Sequence, residues 1–269
     1  RNTLILTHDY ADPDGIAAAV GLARLFEVTR HHTVTLASGG FISRAENRAM
    51  VQLLEIPLIN TESLDFGAFD HIVLVDTQPG TGNNSSPAHL RPSVVIDHHP
   101  ALATAAGVPW CDIREDVGAT ATIVLEYLRL LGIPYGPKLA TAFFYALKSE
   151  TQDLVRETHD DDVDAYRHLF PAVDRALLGA ITRPAVGSDY FRLLSRAVDR
   201  ARITGRLLTV DLQSVPFPEI VAEVADLMSR HEGIGWVLAV GQVHGALYLS
   251  ARSREGDPTH AGELLCGLV

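Results

Sequence analysis

Short apolar runs alternate along the chain with longer stretches in which apolar side chains recur every third or fourth position. "LILTH" (4–8), "TVTLAS" (33–38), "HIVLVDT" (71–77) and "SVVIDHH" (93–99) are the short runs. The last two are continuously apolar until their final residues, as central parallel strands buried on both faces are. Between and after them, "DGIAAAVGLARLFEV" (14–28), "RAENRAMVQLLE" (44–55), "GATATIVLEYLRLLG" (118–132) and "PKLATAFFYALKSE" (137–150) predict helices, the last two separated by "IPYG". Strand–helix alternation of this kind predicts an α/β fold with a mostly parallel sheet and flanking helices over residues 1–187.

The pattern changes after residue 156. "THDDDVDAYRHLF" (158–170) predicts a helix whose acids sit in the first turn, where the helix dipole favours them. "DYFRLLSRAVDRARITG" (189–205) predicts another. "LLTVDLQ", a helix near 217–231, "GWVLAVGQV" and "ALYLSARS" then complete a smaller α+β unit. "TRPAVGS" carries the Pro, Gly and Ser of a boundary. We therefore expect a helical linker at 188–204 and a second domain at 205–269.

Composition adds limits. The 269 residues are 47% hydrophobic and 20% charged, ordinary for a globular protein with a full core. No apolar run approaches a membrane span, and "NTLILTH" lacks the layout of a signal peptide. Cys111 and Cys266 form no zinc-type spacing and are expected as buried thiols of a reducing, cytoplasmic compartment. The net charge of −11 opposes a basic surface gripping long nucleic acid. It leaves a small anionic substrate open, because bound cations reverse the sign of a cleft.

The chemistry-bearing residues gather at strand ends. The first run leads into "THDYADPDG", with His8, Asp12 and Asp14; the third ends in Asp76; the fourth ends in Asp97, His98 and His99. Taken singly, Asp12-Pro13-Asp14 is a helix-start turn and Asp76 a strand-ending turn residue. In an open parallel sheet, however, the carboxyl ends of all strands line one crevice. Two carboxylates about 5 Å apart repel by roughly 3 kcal/mol at an effective dielectric of about 20, so several together must be protonated or neutralised by cations. Asp and His in one site suit Mn²⁺ or a similar divalent ion. Two ions about 3.5–4 Å apart sharing a carboxylate are the usual clamp for phosphoryl displacement.

"HDYADPDG", "VDTQ" and "IDHHP", in this order, resemble the DHH phosphoesterases, most closely the two-domain branch of nanoRNases, pAp phosphatases and cyclic-dinucleotide phosphodiesterases. The resemblance implies two divalent ions, Mn²⁺ in that family. His8 and Asp12 would hold one, Asp14 and His98 the other, and Asp76 would bridge them. The family's fourth motif falls on "KSETQDL" (148–154), where Glu150 takes the place of the usual Asp and Asp153 is the rival ligand. His99 would face the substrate phosphate and Asp97 would orient an imidazole. The four acids Asp12, Asp14, Asp76 and Glu150 would balance two divalent ions, and a metal-bridging hydroxide would attack phosphorus.

"LYLSARS" looks like the start of the DHH-associated domain, with Arg252 and Ser253 as substrate contacts, ahead of a glycine- and histidine-rich motif that would make the domain complete. The implied function is hydrolysis of short nucleotide phosphoesters: linear dinucleotides, very short oligonucleotides, pAp or cyclic dinucleotides. The expected partners are a short nucleotide and a second copy in a homodimer, with no membrane. A family II pyrophosphatase and a catalytically weak nucleotide sensor or scaffold are the rival expectations. Arg44, Asn47 and Arg48 at a helix start are either phosphate or base contacts or ordinary surface, and "VGATAT" (117–122) offers helix-start amides to an anion or to ordinary capping.

Overall fold

The computed structural model describes residues 1–30, 32–42 and 44–254, and divides into two units, Arg1–Pro184 and Ala185–Val269. In the first unit six parallel strands, β1 (Asn2–Leu6), β2 (Thr33–Ser38), β3 (Leu58–Asn60), β4 (His71–Val75), β5 (Val94–Asp97) and β6 (Trp110–Ile113), form one sheet in the order β3-β2-β1-β4-β5-β6. The chain winds outward from β1 in one direction and from β4 in the other. The switch point between β1 and β4 is where such sheets bind ligands. The strands that carry the candidate ligands, β1, β4 and β5, are immediate neighbours there.

The two faces of this sheet are covered differently. Ile5, Val73, Val75 and Ile96 point into a core with α1 (Pro13–Arg30), α2 (Ala45–Leu53), α3 (Thr120–Leu130) and α4 (Pro137–Glu150), joined by α5 (Asp160–Leu169) and α6 (Arg175–Thr182). Leu4, Leu6, Leu74 and Val95 alternate onto the other face. There Leu64, Phe66, Phe69, Leu90 and Val108 from the connecting segments cover them. Helix α1 approaches α3 and α4 closely because residue 21 is glycine: a Cβ there would lie 2.3 Å from Cζ of the buried Phe143 and 2.9 Å from Cγ1 of Val124. That contact fixes α1, and with it the loop carrying His8, Asp12 and Asp14.

The second unit has a four-stranded sheet, β7 (Arg202–Thr204), β8 (Leu207–Ser214), β9 (Trp236–Val243) and β10 (Ala246–Ser253), in the order β10-β9-β8-β7. Strands β8 and β9 are parallel, connected through α8 (Glu219–Met228), and the other pairs are antiparallel. The division falls after Pro184, inside the "TRPAVGS" stretch. Residues 188–204 contribute to the second core rather than forming a linker: α7 (Ser188–Arg200) buries Leu193 and Ala197 there with Val210, Val224 and Val237. Nor does that helix run to 205. It ends at Arg200, and β-branched Ile203 and Thr204 pair with β8 across a turn at Gly205, whose φ is +60°.

Cys111 is exposed, not buried, because β6 is the edge strand of its sheet. Cys266 lies outside the described residues. Among the described residues no helix is long and apolar enough to cross a membrane.

Candidate metal centre

The β1–α1 turn is built by Asp12. Its Oδ1 accepts hydrogen bonds from the backbone N–H of Asp14 (2.9 Å) and Gly15 (3.1 Å), and Pro13 opens the helix. This cap brings Asp12 back toward His8, whose Nε2 lies 3.5 Å from Asp12 Oδ1 and 3.7 Å from Asp76 Oδ2. Asp76, 2% exposed, stands at the end of β4 with φ +60°. That conformation is rare for a residue with a Cβ and here aims a carboxylate at the switch point. Gly15 leaves it room, since a Cβ there would sit 3.3 Å from Asp76 Oδ2.

On the other side of Asp76 stands His98, with Nε2 3.7 Å from Asp76 Oδ1 and 3.9 Å from Asp14 Oδ2. His98 Nε2 is buried and has no hydrogen-bond partner. Buried polar atoms are almost always paired, and an imidazole nitrogen facing two carboxylates is a metal ligand in waiting. Two sets of potential ligand atoms, each within 4.8 Å of one another, meet at Asp76: His8 with Asp12, and His98 with His99. Divalent cations fit this donor set.

Asp14 is buried and its carboxylate receives the N–H of Thr120 (2.7 Å) and of Ala121 (2.8 Å) at the start of α3. The helix-start amides of "VGATAT" are thus capped by a carboxylate of the chain itself, the capping alternative of the two. Each Asp14 oxygen retains a second lone pair for a cation. Thr120 Oγ1 donates to Asp76 Oδ1 (2.9 Å).

Glu150, at the end of α4, belongs to this cluster: its charge is felt at Asp14 and His99. Asp153 does not join it. Its side chain is exposed and its carboxylate takes the ammonium of Lys148. Arg252, in the second unit, is held by Asp226 of α8 and by Ser250 Oγ (3.0 Å), and Ser253 ends β10 beside it.

The electrostatics follow from crowding acids where water is scarce. Burial pushes the Asp14 carboxyl well above its ordinary range, helped by the charges of Asp76, Asp12 and Glu150. Burial also raises Asp76, and Asp12 adds to it. Glu150 rises to about 7, through burial first and then Asp12 and Asp76. His8 goes the other way from its surroundings. Burial alone would lower it, but Asp12 and Asp76 hold its proton and bring the pKa to about 10. Asp12, despite burial, falls to about 2 because His8 donates to it.

Asp97 organises the fifth strand's end. Its Oδ1 accepts from the backbone N–H of His98 (2.9 Å) and His99 (3.2 Å) and from His99 Nδ1 (2.9 Å). That last bond, before any other cause, lifts His99 to about 9. With Nδ1 engaged, Nε2 of this half-exposed imidazole is the nitrogen left for a substrate.

Gln78, the last residue of "VDTQ" and given no role from the sequence, positions the loop beside the site. Fully buried, it donates through Nε2 to Asp97 Oδ2 (2.8 Å) and to the carbonyl of Pro100 (3.0 Å), and accepts from the N–H of Leu102 (2.8 Å). It ties the Asp76 strand end to the Asp97–His99 loop. A glutamine two positions past a strand-ending Asp carries no signal in isolation; its role appears only when β4 and β5 are paired. In Gln78→Leu we expect a loss of about 1–3 kcal/mol of unfolding free energy in urea denaturation, because Asp97 Oδ2 and Leu102 N–H lose their buried partner. Unchanged stability would show that water satisfies both groups.

Asp162 has a similar structural part. It caps α5 through the N–H of His159 (2.9 Å) and reaches the N–H of Gly118 (2.7 Å) and the hydroxyl of Thr122 (2.5 Å), securing the start of α3.

A sequence profile described as "DHH family, N-terminal domain" matches residues 2–160. An uncharacterized protein of Methanocaldococcus jannaschii is 33% identical over 254 residues, covering 94% of this chain and 52% of that protein. A protein described as a probable manganese-dependent inorganic pyrophosphatase of Staphylococcus aureus is 26% identical over 149 residues, 55% of this chain and 48% of its own length. The chain thus spans about half the length of these curated relatives. Among solved structures, an exopolyphosphatase-related protein from Bacteroides fragilis superposes with a TM-score of 0.74 at 12% identity, over 94% of this chain and 79% of that one.

Proposed function

The chain belongs to the DHH family, and from that membership we propose a divalent-metal-dependent phosphoesterase, with manganese as its ion, acting on short nucleotide phosphoesters. The observation that carries the reading is Asp76, a buried carboxylate with His8 and Asp12 on one side and the partnerless Nε2 of His98 on the other. We assign one ion to His8, Asp12 and Asp76, with Glu150 beside it, and a second to Asp14, His98 and Asp76. Divalent ions held there supply electrophilic polarisation of a phosphoryl group and activation of water.

The chain's own residues do the rest. Asp97 holds the His99 ring through Nδ1, and with a pKa near 9 the imidazole is a cation at neutral pH. It neutralises a phosphoryl oxygen and donates its Nε2 proton to the departing oxygen. The amides of Thr120 and Ala121 hold the Asp14 carboxyl in its orientation and favour its anionic form against the burial that raises it. Arg252 and Ser253 we assign as substrate contacts. The similarity to a probable pyrophosphatase supports phosphoester or phosphoanhydride chemistry. Glu150 supports an enzyme over an inactive sensor, because its carboxyl still couples to the charges of Asp12 and Asp76.

The test is hydrolysis in Mn²⁺ of pApA, a labelled five-nucleotide RNA, pAp, cyclic di-AMP and inorganic pyrophosphate, followed by chromatography. We expect mononucleotide release that EDTA abolishes. Turnover of pyrophosphate alone would replace the nucleotide reading, and silence on every substrate with metal bound would favour a sensor.

A further inference from the structure

Two residues from the metal ligands that we assign, the β1–α1 turn holds Tyr10 in the left-handed region. Its φ is +57°, a region that residues with a Cβ enter rarely and at some cost. Its N–H donates to the carbonyl of Gly39 (2.9 Å). Its ring lies against Gly40, where a Cβ would come within 2.7 Å of Tyr10 Cε1 and where φ is +66°. Beside Gly40, Phe41 meets the Tyr10 ring edge-on, with centroids 5.7 Å apart and planes at 78°. The tyrosine is thus seated from below by a glycine and from the side by a second aromatic.

Neither ring is buried by this arrangement: Tyr10 remains 38% exposed and Phe41 47%. Both stand at the carboxyl ends of adjacent strands β1 and β2, on the crevice side of the sheet. Tyr10 lies two residues from His8 and two from Asp12, so its Cα is within about 7.6 Å of either one's. A strained, preorganised aromatic pair left open beside a phosphate-type site matches what flat, π-faced ligands need.

We propose that Tyr10 and Phe41 form a nucleobase-stacking subsite of this centre, which selects nucleoside phosphoesters over inorganic polyphosphates. The inference rests on the phosphoesterase reading and adds the group that the first unit itself recognises. Stacking is tolerant of base identity, because every base has a π face. The subsite therefore selects for the presence of a base and discriminates weakly among bases. The strain at Tyr10 and the bare backbone at Gly40 have their use in presenting the ring before the ligand arrives, which lowers the ordering cost of binding.

The experiment compares kcat/KM, in Mn²⁺, for pApA and for its analogue lacking the terminal base. In the wild-type chain pApA is preferred. In Phe41→Leu and Tyr10→Leu the preference falls by about 5- to 150-fold, the range in which one base–aromatic stack changes affinity. Phe41→Trp, which keeps a π face, restores it. A preference unaltered in both leucine variants, or lost equally in Phe41→Trp, overturns the subsite.

A second arm separates this from failure of the enzyme reading. A non-hydrolysable methylphosphonate dinucleotide carrying 2-aminopurine is titrated with the Mn²⁺-loaded chain. Quenching in the wild type that is relieved in Phe41→Leu supports stacking even if nothing is hydrolysed. A probe that stays unquenched overturns stacking even if pApA is turned over.

Discussion

Asp76→Asn lowers kcat/KM by about a thousand-fold or more, and at the same time it raises the melting temperature of the metal-free protein. The first effect follows from the sharing of Asp76 between both ligand sets. Removing a neighbour that merely orients a metal ligand costs about 10–100-fold, and here a group common to two sites loses its charge. The second effect has the opposite sign because the empty centre is a cluster of buried acids. Asp76 raises the Asp14 carboxyl and the Glu150 carboxyl, and is itself raised by burial and by Asp12.

Neutralising Asp76 relieves that repulsion. Protonation already relieves part of it at neutral pH, so a gain of about 1 kcal/mol is expected, or roughly 2–4 °C in a unit of this size. Asparagine is the right substitution for two reasons: it tolerates the left-handed backbone of Asp76, and it keeps an oxygen for the Thr120 hydroxyl. Calorimetry in EDTA and metal analysis after dialysis against Mn²⁺ read both effects. A variant that melts lower without metal would mean that Asp76 is a structural anchor.

The same acids explain what was legible in the sequence. Asp12, Asp14, Asp76 and His98 stood out because each follows an apolar run, and a parallel sheet brings such ends together whatever the order of its strands. The order β3-β2-β1-β4-β5-β6 makes the three contributing strands adjacent, which the runs alone do not specify. Glu150 over Asp153 needed the structure too. Glu150 is the last residue of α4, whereas Asp153 sits beyond the helix with φ +61° and turns to Lys148. Strands β3 and β6 escaped notice because Leu58–Asn60 has only three residues and Trp110–Ile113 has no continuous apolar run, Asp112 interrupting it. Cys111 looked buried for its apolar neighbours, and is exposed because β6 is an edge. The Gln78 and Thr120 contacts are long-range, and no local pattern announces them. The 189–205 helix was overextended because its Arg-rich tail has good helix propensity, while the pairing of Arg202–Thr204 with β8 is decided by tertiary structure.

Stability and metal binding should respond to pH in opposite directions. Without metal, the folded chain keeps protons that the unfolded chain releases. Glu150 holds its proton up to about 7 instead of 4.5, His99 up to about 9 and His8 up to about 10 instead of 6.5. Wherever the folded state binds more protons, its stability falls as pH rises. The metal-free protein therefore loses stability progressively from about pH 4.5 to about pH 10, in the order Glu150 first and the two histidines later. Asp12 opposes this only in acid: its pKa near 2 contributes stability above 3.8 that disappears as pH falls toward 2.

Mn²⁺ competes for the same atoms and must displace those protons, so its apparent affinity climbs with pH, by about tenfold per unit for each proton released. Melting curves in EDTA and in saturating Mn²⁺, from about pH 5 to about pH 9, test the argument directly. The gap between the two curves should widen with pH, because the metal-free form weakens as the loaded form gains ligand binding. Glu150→Gln should flatten the metal-free curve below about pH 7 and leave the decline above it, since only the histidines titrate there. A gap that stays constant would mean that the protons are not held at the metal ligands, and that His8 and Glu150 do not face a cation in the loaded protein.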